Sequence, residues 1–380
     1  AMMAAMLGRC RCGRGAAGGP LRWRGKGGDV VEAPGTTTVA PARRRHHQHQ
    51  QRRTWRTGAA QGAGHCGDFT VSSRLGRDEV HAYWLPLREE QEADLDRLLL
   101  HGSEGLPACL GEEDRAYLAR TKDPATRRER LASRLMLRSV LSCVTQTSAE
   151  ELVFGTGPGG KPHLVTREGA GGGGAGFDPA RVHFNLTHSA RLVGLCVSRQ
   201  SPVGVDAEVK SRHTRHALMK IARRRFAEQE VRALEALPDG SEEQRVLFLQ
   251  LWTLKEAFLK ATGLGISSPV GLKHCCFDLS QATETLAAGT GAHGQEDQQL
   301  QAIRLRLSHG TRAPLSGKQA PPSLRAEDWQ FSSGEPVPGA VASICWRVRP
   351  EEEIPSRMGS LPPPMKVKTF VADSLKSFLP

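Results

Sequence analysis

Gly204-Val205-Asp206-Ala207-Glu208 is the stretch from which the rest of the chain is best read. Together with Pro202 and Val203 it alternates as a strand does, and a turn precedes it. Alternate residues of a strand share a face. Asp206 and Glu208 therefore point one way, with Val205 and Ala207 behind them. Two neighbouring carboxylates repel one another unless a cation lies between them. Their oxygens suit Mg²⁺, which takes one or two carboxylates from protein and the rest of its shell from phosphate and water. Taken alone, a solvated strand end bearing two acids is the simpler account.

Toward the C-terminus the pattern predicts two helices, over 214–237 and 242–261, with Gly263 placed to end the second. In the second, Leu247, Leu251, Leu254 and Phe258 fall on one stripe. Glu256 and Lys260 lie on the opposite side, four residues apart and so neighbours. Spacing leaves two readings open. One is a surface Glu–Lys pair; the other makes Glu256 a metal ligand or base and Lys260 a phosphate contact. Toward the N-terminus, strands are expected over 182–186 and 192–198. His183-Phe184-Asn185-Leu186-Thr187-His188-Ser189 crowds short polar groups where one strand turns into the next, suited either to a phosphate or to capping the turn.

Further upstream, 81–85 reads as a strand, 91–100 as a short helix, and Glu112-Glu113-Asp114 as an acidic first turn favoured by the helix dipole. Asp123-Pro124 offers an N-cap and a proline at the first helical position for a helix to about Val144. Arg130, Arg134 and Arg138 form one basic stripe on it. Gly155–Gly160 is a glycine-rich turn ending at Lys161-Pro162. Gly169–Gly176 is a glycine run with no strand before it and no Lys-Ser/Thr after it, hence a flexible insertion and not a phosphate loop. Residues 283–325 read as a long loop. Residues 329–331 and 340–348 close the pattern as a strand pair. A helix followed by a strand pair thus occurs twice. This suggests an α+β fold of two similar subdomains with a pseudo-twofold relation, each a small antiparallel sheet packed with helices, and an active site in the cleft between them. The expected boundaries are a basic N-terminal extension over 1–66, subdomains over 67–203 and 204–350, and a Pro-rich peripheral tail over 351–380.

The formal charge of +12 on 380 residues is uneven. Residues 1–66 hold eleven Arg and one Lys against Asp29 and Glu32, a net of +10, so everything after carries about +2. That distribution argues against a nucleic-acid-binding protein, whose excess would lie on the fold. The acid-poor N-terminus suits an organelle transit peptide, chloroplast or mitochondrial, better than a secretory signal; a basic tail without an address in a cytosolic protein is the other reading. His46, His47 and His49 belong to a low-complexity run. No segment reaches the ~20 apolar residues of a membrane helix. The nine cysteines show no paired metal spacing; several sit in apolar runs and read as small buried hydrophobes in a reducing compartment.

In this order, Gly160-Lys161-Pro162, Phe184-Asn185-Leu186-Thr187-His188-Ser189, Gly204-Val205-Asp206-Ala207-Glu208 and Trp252-Thr253-Leu254-Lys255-Glu256-Ala257-Phe258-Leu259-Lys260 resemble the Sfp-type phosphopantetheinyl transferases, the larger monomeric class. Lesser likeness extends to Arg134–Arg138 and Phe277-Asp278-Leu279, and the whole covers about 80–348. The Gly169–Gly176 run and the loop after Asp278 depart from the family's length.

The resemblance implies transfer of the 4′-phosphopantetheine arm of coenzyme A to a serine of an apo acyl or peptidyl carrier protein, releasing 3′,5′-ADP. Asp206, Glu208 and Glu256 would hold Mg²⁺; Glu256, directly or through water, would deprotonate the carrier serine; Lys260 would offset charge on the phosphate. Gly160, Lys161, Asn185, Thr187 and His188 would line the coenzyme A site, with Arg115 at the nucleotide end and Arg134 a further candidate of that kind. A Mg²⁺-dependent phosphohydrolase using the same carboxylates is the rival; a degenerate homologue that only binds carriers does not suit the intact acid set.

Overall fold

The computed structural model describes residues 75–100, 102, 105–157, 159–165, 181–199, 201–211, 218–265, 271–279, 303–307, 324–348 and 365–379. The N-terminal extension, the Gly169–Gly176 run, much of 283–325 and the start of the Pro-rich tail lie outside the described residues.

The first sheet forms around β1 (Glu79–Pro86), β4 (Val182–Ser189) and β5 (Leu192–Arg199), in the order β1-β5-β4 with antiparallel neighbours. Three helices precede β4: α1 (Glu89–Leu100), α2 (Glu112–Ala119) and α3 (Pro124–Thr145). The start of α3 is set as expected, with Asp123 accepting the amide of Thr126 at 2.8 Å and proline opening the first turn. Its apolar face meets Leu195, Val197 and Phe184 in one core. Its basic stripe does not face water. Arg130 and Arg134 lie over the ring of Tyr117, and Asp114 is held between Arg134 and Arg138. A small ribbon, β2 (Phe154–Thr156) and β3 (Pro162–Leu164), carries the glycine-rich turn.

The second sheet has three strands. Its strands β6 (Val203–Val209), β9 (Trp329–Gly334) and β10 (Ala340–Arg347) lie in the order β6-β10-β9, again antiparallel. In each sheet the last strand of the three is central. Against this sheet packs α6 (Glu242–Thr262), fenced by Ser241, whose hydroxyl accepts the amide of Gln244, and by Gly263 at φ 69°, a left-handed conformation that glycine adopts without strain.

Three sequence expectations need correction. The helix expected over 214–237 is two helices where described, α4 (Leu218–Arg225) and α5 (Glu228–Glu235). The chain breaks because Phe226 turns into the core against Phe248 and Trp252, and Glu230 takes up the freed amide of Ala227 at 2.8 Å. The long loop contains a strand: β8 (Arg304–Leu307) pairs with β7 (Cys275–Asp278) and buries Ile303 and Leu305. The tail is not peripheral over 365–379. There β11 (Lys366–Val371) pairs parallel to β1, and Ala372, Leu375 and Phe378 enter the first core. Apolar side chains at 372, 375 and 378 give that segment enough area to bury. Among the described residues all cysteines are free, and Cys109, Cys196, Cys275 and Cys345 are buried. No helix among them is long and apolar enough to cross a membrane.

Candidate active site

The two sheets meet edge to edge at β4 and β6, and the acids sit on that junction. Strand β4 spends its backbone on β5. Toward β6 it offers side chains instead, from every second residue. Asn185 Oδ1 accepts the amide of Val205 at 2.9 Å, and Thr187 Oγ1 accepts that of Ala207 at 3.3 Å. Thr187 also donates to Asp206 Oδ1 at 3.2 Å, and Ser189 Oγ donates to Glu208 Oε2 at 2.6 Å. Both partners advance along their strands together, so β4 and β6 run in the same direction.

Gly204 lets α6 approach from the other side. A Cβ there would fall within the carbonyl oxygen of Ala257 and lie 2.5 Å from the amide of Ala261, so only glycine fits. The close approach brings Glu256 within reach of the charge of Asp206. Glu256 is 1 % exposed, so the open choice for this helix is settled against a surface pair. The helix is buried almost all round, its polar face lying on β6 and its apolar stripe in the second core. Lys260 reaches past Glu256 to Asp206, with Nζ 2.7 Å from Oδ1 and 3.0 Å from the carbonyl of Val205. Next door, Lys255 is fully buried. It pairs with Glu230 at 2.7 Å, donates to the carbonyls of Leu272 and Cys275, and stands over the rings of Phe226 and Phe277.

Burial pushes the carboxyl of Asp206 up; Lys260 draws it back part of the way and Glu208 adds to the rise. Burial and then the charge of Asp206 push Glu256 up to about 8. Asp206 Oδ2 and Glu256 Oε1 are buried with no hydrogen-bond partner. Buried carboxylate oxygens are ordinarily satisfied, and two bare ones on acids that feel each other's charge fit a cation. Among the described residues no three His, Cys, Asp or Glu side chains converge as a ready-made metal cage. Mg²⁺ does not need one, since it takes one or two carboxylates and completes its shell with phosphate and water. Asp206 and Glu256 fit that requirement directly, with Glu208 beside them.

The remaining expected residues are placed as follows. His188 faces α3, its Nδ1 3.2 Å from Glu129 Oε2. Glu129 was not anticipated. Burial alone would raise its carboxyl, but His188 and the amide of Arg191 outweigh this and hold it low. Gly160 lies in the β2–β3 turn at φ 79°. Lys161 Nζ donates to the carbonyls of Val203 at 2.8 Å and Ala261 at 2.9 Å, tying that turn to the ends of β6 and α6. Burial lowers its pKa to about 8. Asn185 and Thr187 knit the junction as described. Arg115 and Arg134 are built into the α2–α3 packing rather than the acid group: Arg115 donates to the carbonyls of Leu106, Pro107 and Leu110, and Arg134 is 3.3 Å from Asp114. The sequence places Ser189 only within a polar cluster. Its place at the third of three alternating positions, 185, 187 and 189, was the available signal that it shares their face.

Fold and site together define an α+β protein with a buried acid-and-lysine group where its four-stranded and three-stranded sheets meet. A sequence model described as the 4′-phosphopantetheinyl transferase superfamily matches residues 202–313, from β6 to beyond β8. A putative 4′-phosphopantetheinyl transferase of Synechocystis sp. is 38 % identical over 172 residues, 45 % of this chain and 63 % of that protein. HetI of Nostoc sp., a 4′-phosphopantetheinyl transferase, is 34 % identical over 190 residues, 50 % of this chain and 71 % of its own. Sfp of Bacillus subtilis, named likewise, is 32 % identical over 136 residues, 36 % of this chain and 52 % of its own. The matches thus span about half to seven-tenths of these relatives. The chain belongs to the 4′-phosphopantetheinyl transferase family.

Proposed function

We propose that this protein transfers the 4′-phosphopantetheine arm of coenzyme A to a serine of an apo carrier protein in a Mg²⁺-dependent reaction. The observation that carries the reading is the pair of bare buried oxygens, Asp206 Oδ2 and Glu256 Oε1, beside Lys260 in a chain of this family. The serine oxygen attacks phosphorus, the bond from phosphorus to 3′,5′-ADP breaks, and the serine proton must go to a base. Glu256 is that base. Burial raises the carboxyl of Glu256 and a bound cation would draw it back down, so it would meet the serine proton as a carboxylate. Lys260, through its ammonium, holds Asp206 in place and sets positive charge where the phosphoryl oxygens become more negative. Bound at Asp206 and Glu256, with Glu208 as the third acid, Mg²⁺ would neutralise charge on the pyrophosphate.

The two sheets are read as repeats related by a pseudo-twofold axis, with the cleft at their junction as the coenzyme A site; their shared strand order supports this. His188, Lys161 and Gly160 border that junction, and the assignment of Arg115 and Arg134 to the nucleotide end stands on resemblance alone. The partner is an acyl or peptidyl carrier, in fatty-acid or other carrier-dependent synthesis, met by a monomer that binds no nucleic acid. The basic extension would address the chain to a chloroplast or mitochondrion.

The deciding experiment mixes the protein with coenzyme A, Mg²⁺ and several apo carriers and weighs the carriers. One phosphopantetheine added per carrier is expected. Glu256→Gln should keep coenzyme A binding and lose about 10²–10⁴-fold in transfer; near-normal turnover sinks the assignment. Free phosphopantetheine released without a carrier would point to a phosphohydrolase instead.

A further inference from the structure

The hydroxyl of Ser189 has no place in the roles given so far, yet it is 1 % exposed and donates a 2.6 Å hydrogen bond to Glu208 Oε2. We propose that Ser189 is a positioning residue, which fixes the Glu208 carboxylate from the first sheet and thereby sets the affinity of the acid group for its cation. The inference rests on the transferase reading only in taking that cation to be Mg²⁺.

The argument starts from strand geometry. Glu208 is the second-last residue of β6 and is 3 % exposed, and Ser189 is one of the groups that meet its carboxylate. A glutamate has three rotatable bonds, and fixing it costs side-chain entropy. If that ordering had to occur on binding, the cation's affinity would bear it. Ser189 removes the cost beforehand. It can do so because Asn185 and Thr187, four and two residues earlier on the same face, have already locked β4 to β6 through the amides of Val205 and Ala207. The serine is thus delivered to one point along β6 and no other. Its own position is fixed in turn by the two-residue turn after it. Ala190 and Arg191 both have positive φ, 39° and 72°, the conformation of a tight hairpin turn that ordinary residues adopt only when held. Arg191 is held: its amide donates to Glu129, its guanidinium to Glu92 at 2.7 Å and to the carbonyl of Leu87 at 3.0 Å, and its carbonyl accepts the amide of Leu87 at 2.6 Å. A chain of contacts therefore runs from the first helix through the turn and Ser189 to an acid on the second sheet. Hydrogen-bond donors behind a ligating carboxylate typically change metal affinity 10–100-fold when removed.

The test titrates Mg²⁺ into the protein with coenzyme A present, by calorimetry, and separately titrates coenzyme A without metal. Ser189→Ala should weaken Mg²⁺ binding about tenfold or more, leave metal-free coenzyme A binding unchanged, and be rescued by Ser189→Thr, which keeps the hydroxyl. Ser189→Cys, nearly the same size but a poor donor, should behave as Ser189→Ala does, and decides the matter if Ser189→Ala does not fold. Wild-type Mg²⁺ affinity in Ser189→Ala or Ser189→Cys overturns the proposal. So does a loss shared by Ser189→Thr or matched by an equal loss of coenzyme A, since either marks damage to the junction as a whole. Failure of the wild type to bind Mg²⁺ beside coenzyme A would remove the metal reading itself, and this inference with it.

Discussion

Lys260 Nζ lies 2.7 Å from Asp206 Oδ1, so the lysine's ion pair is with the strand acid and not with Glu256, its neighbour one helical turn back. This choice leaves Glu256 with a bare buried oxygen, while burial and the charge of Asp206 hold its carboxyl up against the pull of Lys260. Replacing Lys260 by Met should strip Asp206 of its counter-charge and the Val205 carbonyl of a donor. Transfer to carrier is expected to fall by about 10²–10³, the usual effect of removing one positioned donor from a charged transition state. Lys260→Arg should recover only part, because a planar fork cannot replace a compact ammonium placed between a carboxylate and a carbonyl. The readout is the rate of carrier modification at saturating coenzyme A; equal rates in wild type and Lys260→Met would disprove the role.

Gly204 is predicted to be the most sensitive position of β6 without a functional group. A Cβ there meets backbone of α6 at Ala257 and Ala261, which cannot rotate away. Overpacking of this kind costs about 1–3 kcal/mol, and here it would also push Glu256 off Asp206. Gly204→Ala should therefore lower both the urea midpoint, with the slope unchanged, and the transfer rate. A variant with wild-type stability would show that the helix can shift freely over the strand.

The local parts of this site were legible in the sequence because they depend on period. Asp206 and Glu208 share a face by the two-residue repeat of a strand, and Glu256 and Lys260 leave the apolar stripe by the helical repeat. What period cannot give is which face meets which element. The polar side of α6 looked free for water; it is buried because Gly204 admits the helix backbone. Asn185 and Thr187 looked like ligand contacts for the same reason: short polar side chains at a strand end serve a phosphate and a neighbouring amide equally well. The helix break at Phe226 was invisible because no Gly or Pro marks it; it depends on Glu230, three residues on, and on an aromatic stack made at a distance.

The C-terminal segment is hidden in the sequence because it follows a Pro-rich stretch and shares no sustained period with it. Its packing makes a clear prediction. Phe378 is 1 % exposed in the core of the first sheet, against the same helix that faces His188. Phe378→Ala should cost about 3–5 kcal/mol, comparable to losing a central core residue. Thermal unfolding of this variant checks it; a change under about 1 kcal/mol would mean that the segment is only loosely attached.

Lys161 supplies a prediction whose sign can be worked out in full. Burial lowers its pKa from 10.5 to about 8, a difference of about 3 kcal/mol. Below pH 8 both folded and unfolded chains carry the proton, and the folded state bears the whole cost of a buried ammonium. Between 8 and 10.5 the folded chain has shed its proton while the unfolded chain keeps it. The unfolded state then binds more protons, so stability attributable to this lysine rises with pH across that window. Above 10.5 both forms are neutral and the contribution levels off. Lys161→Met removes the titration. Subtracting its stability curve from that of the wild type should leave a rise confined to pH 8–10.5, measured by urea unfolding at fixed ionic strength; parallel curves would refute it. The same variant separates two uses of the residue. If Lys161 chiefly ties the β2–β3 turn to the ends of β6 and α6, coenzyme A binding should weaken no more than stability does. If its ammonium also meets a phosphate, coenzyme A affinity in the wild type should fall as pH passes 8, and in Lys161→Met it should not.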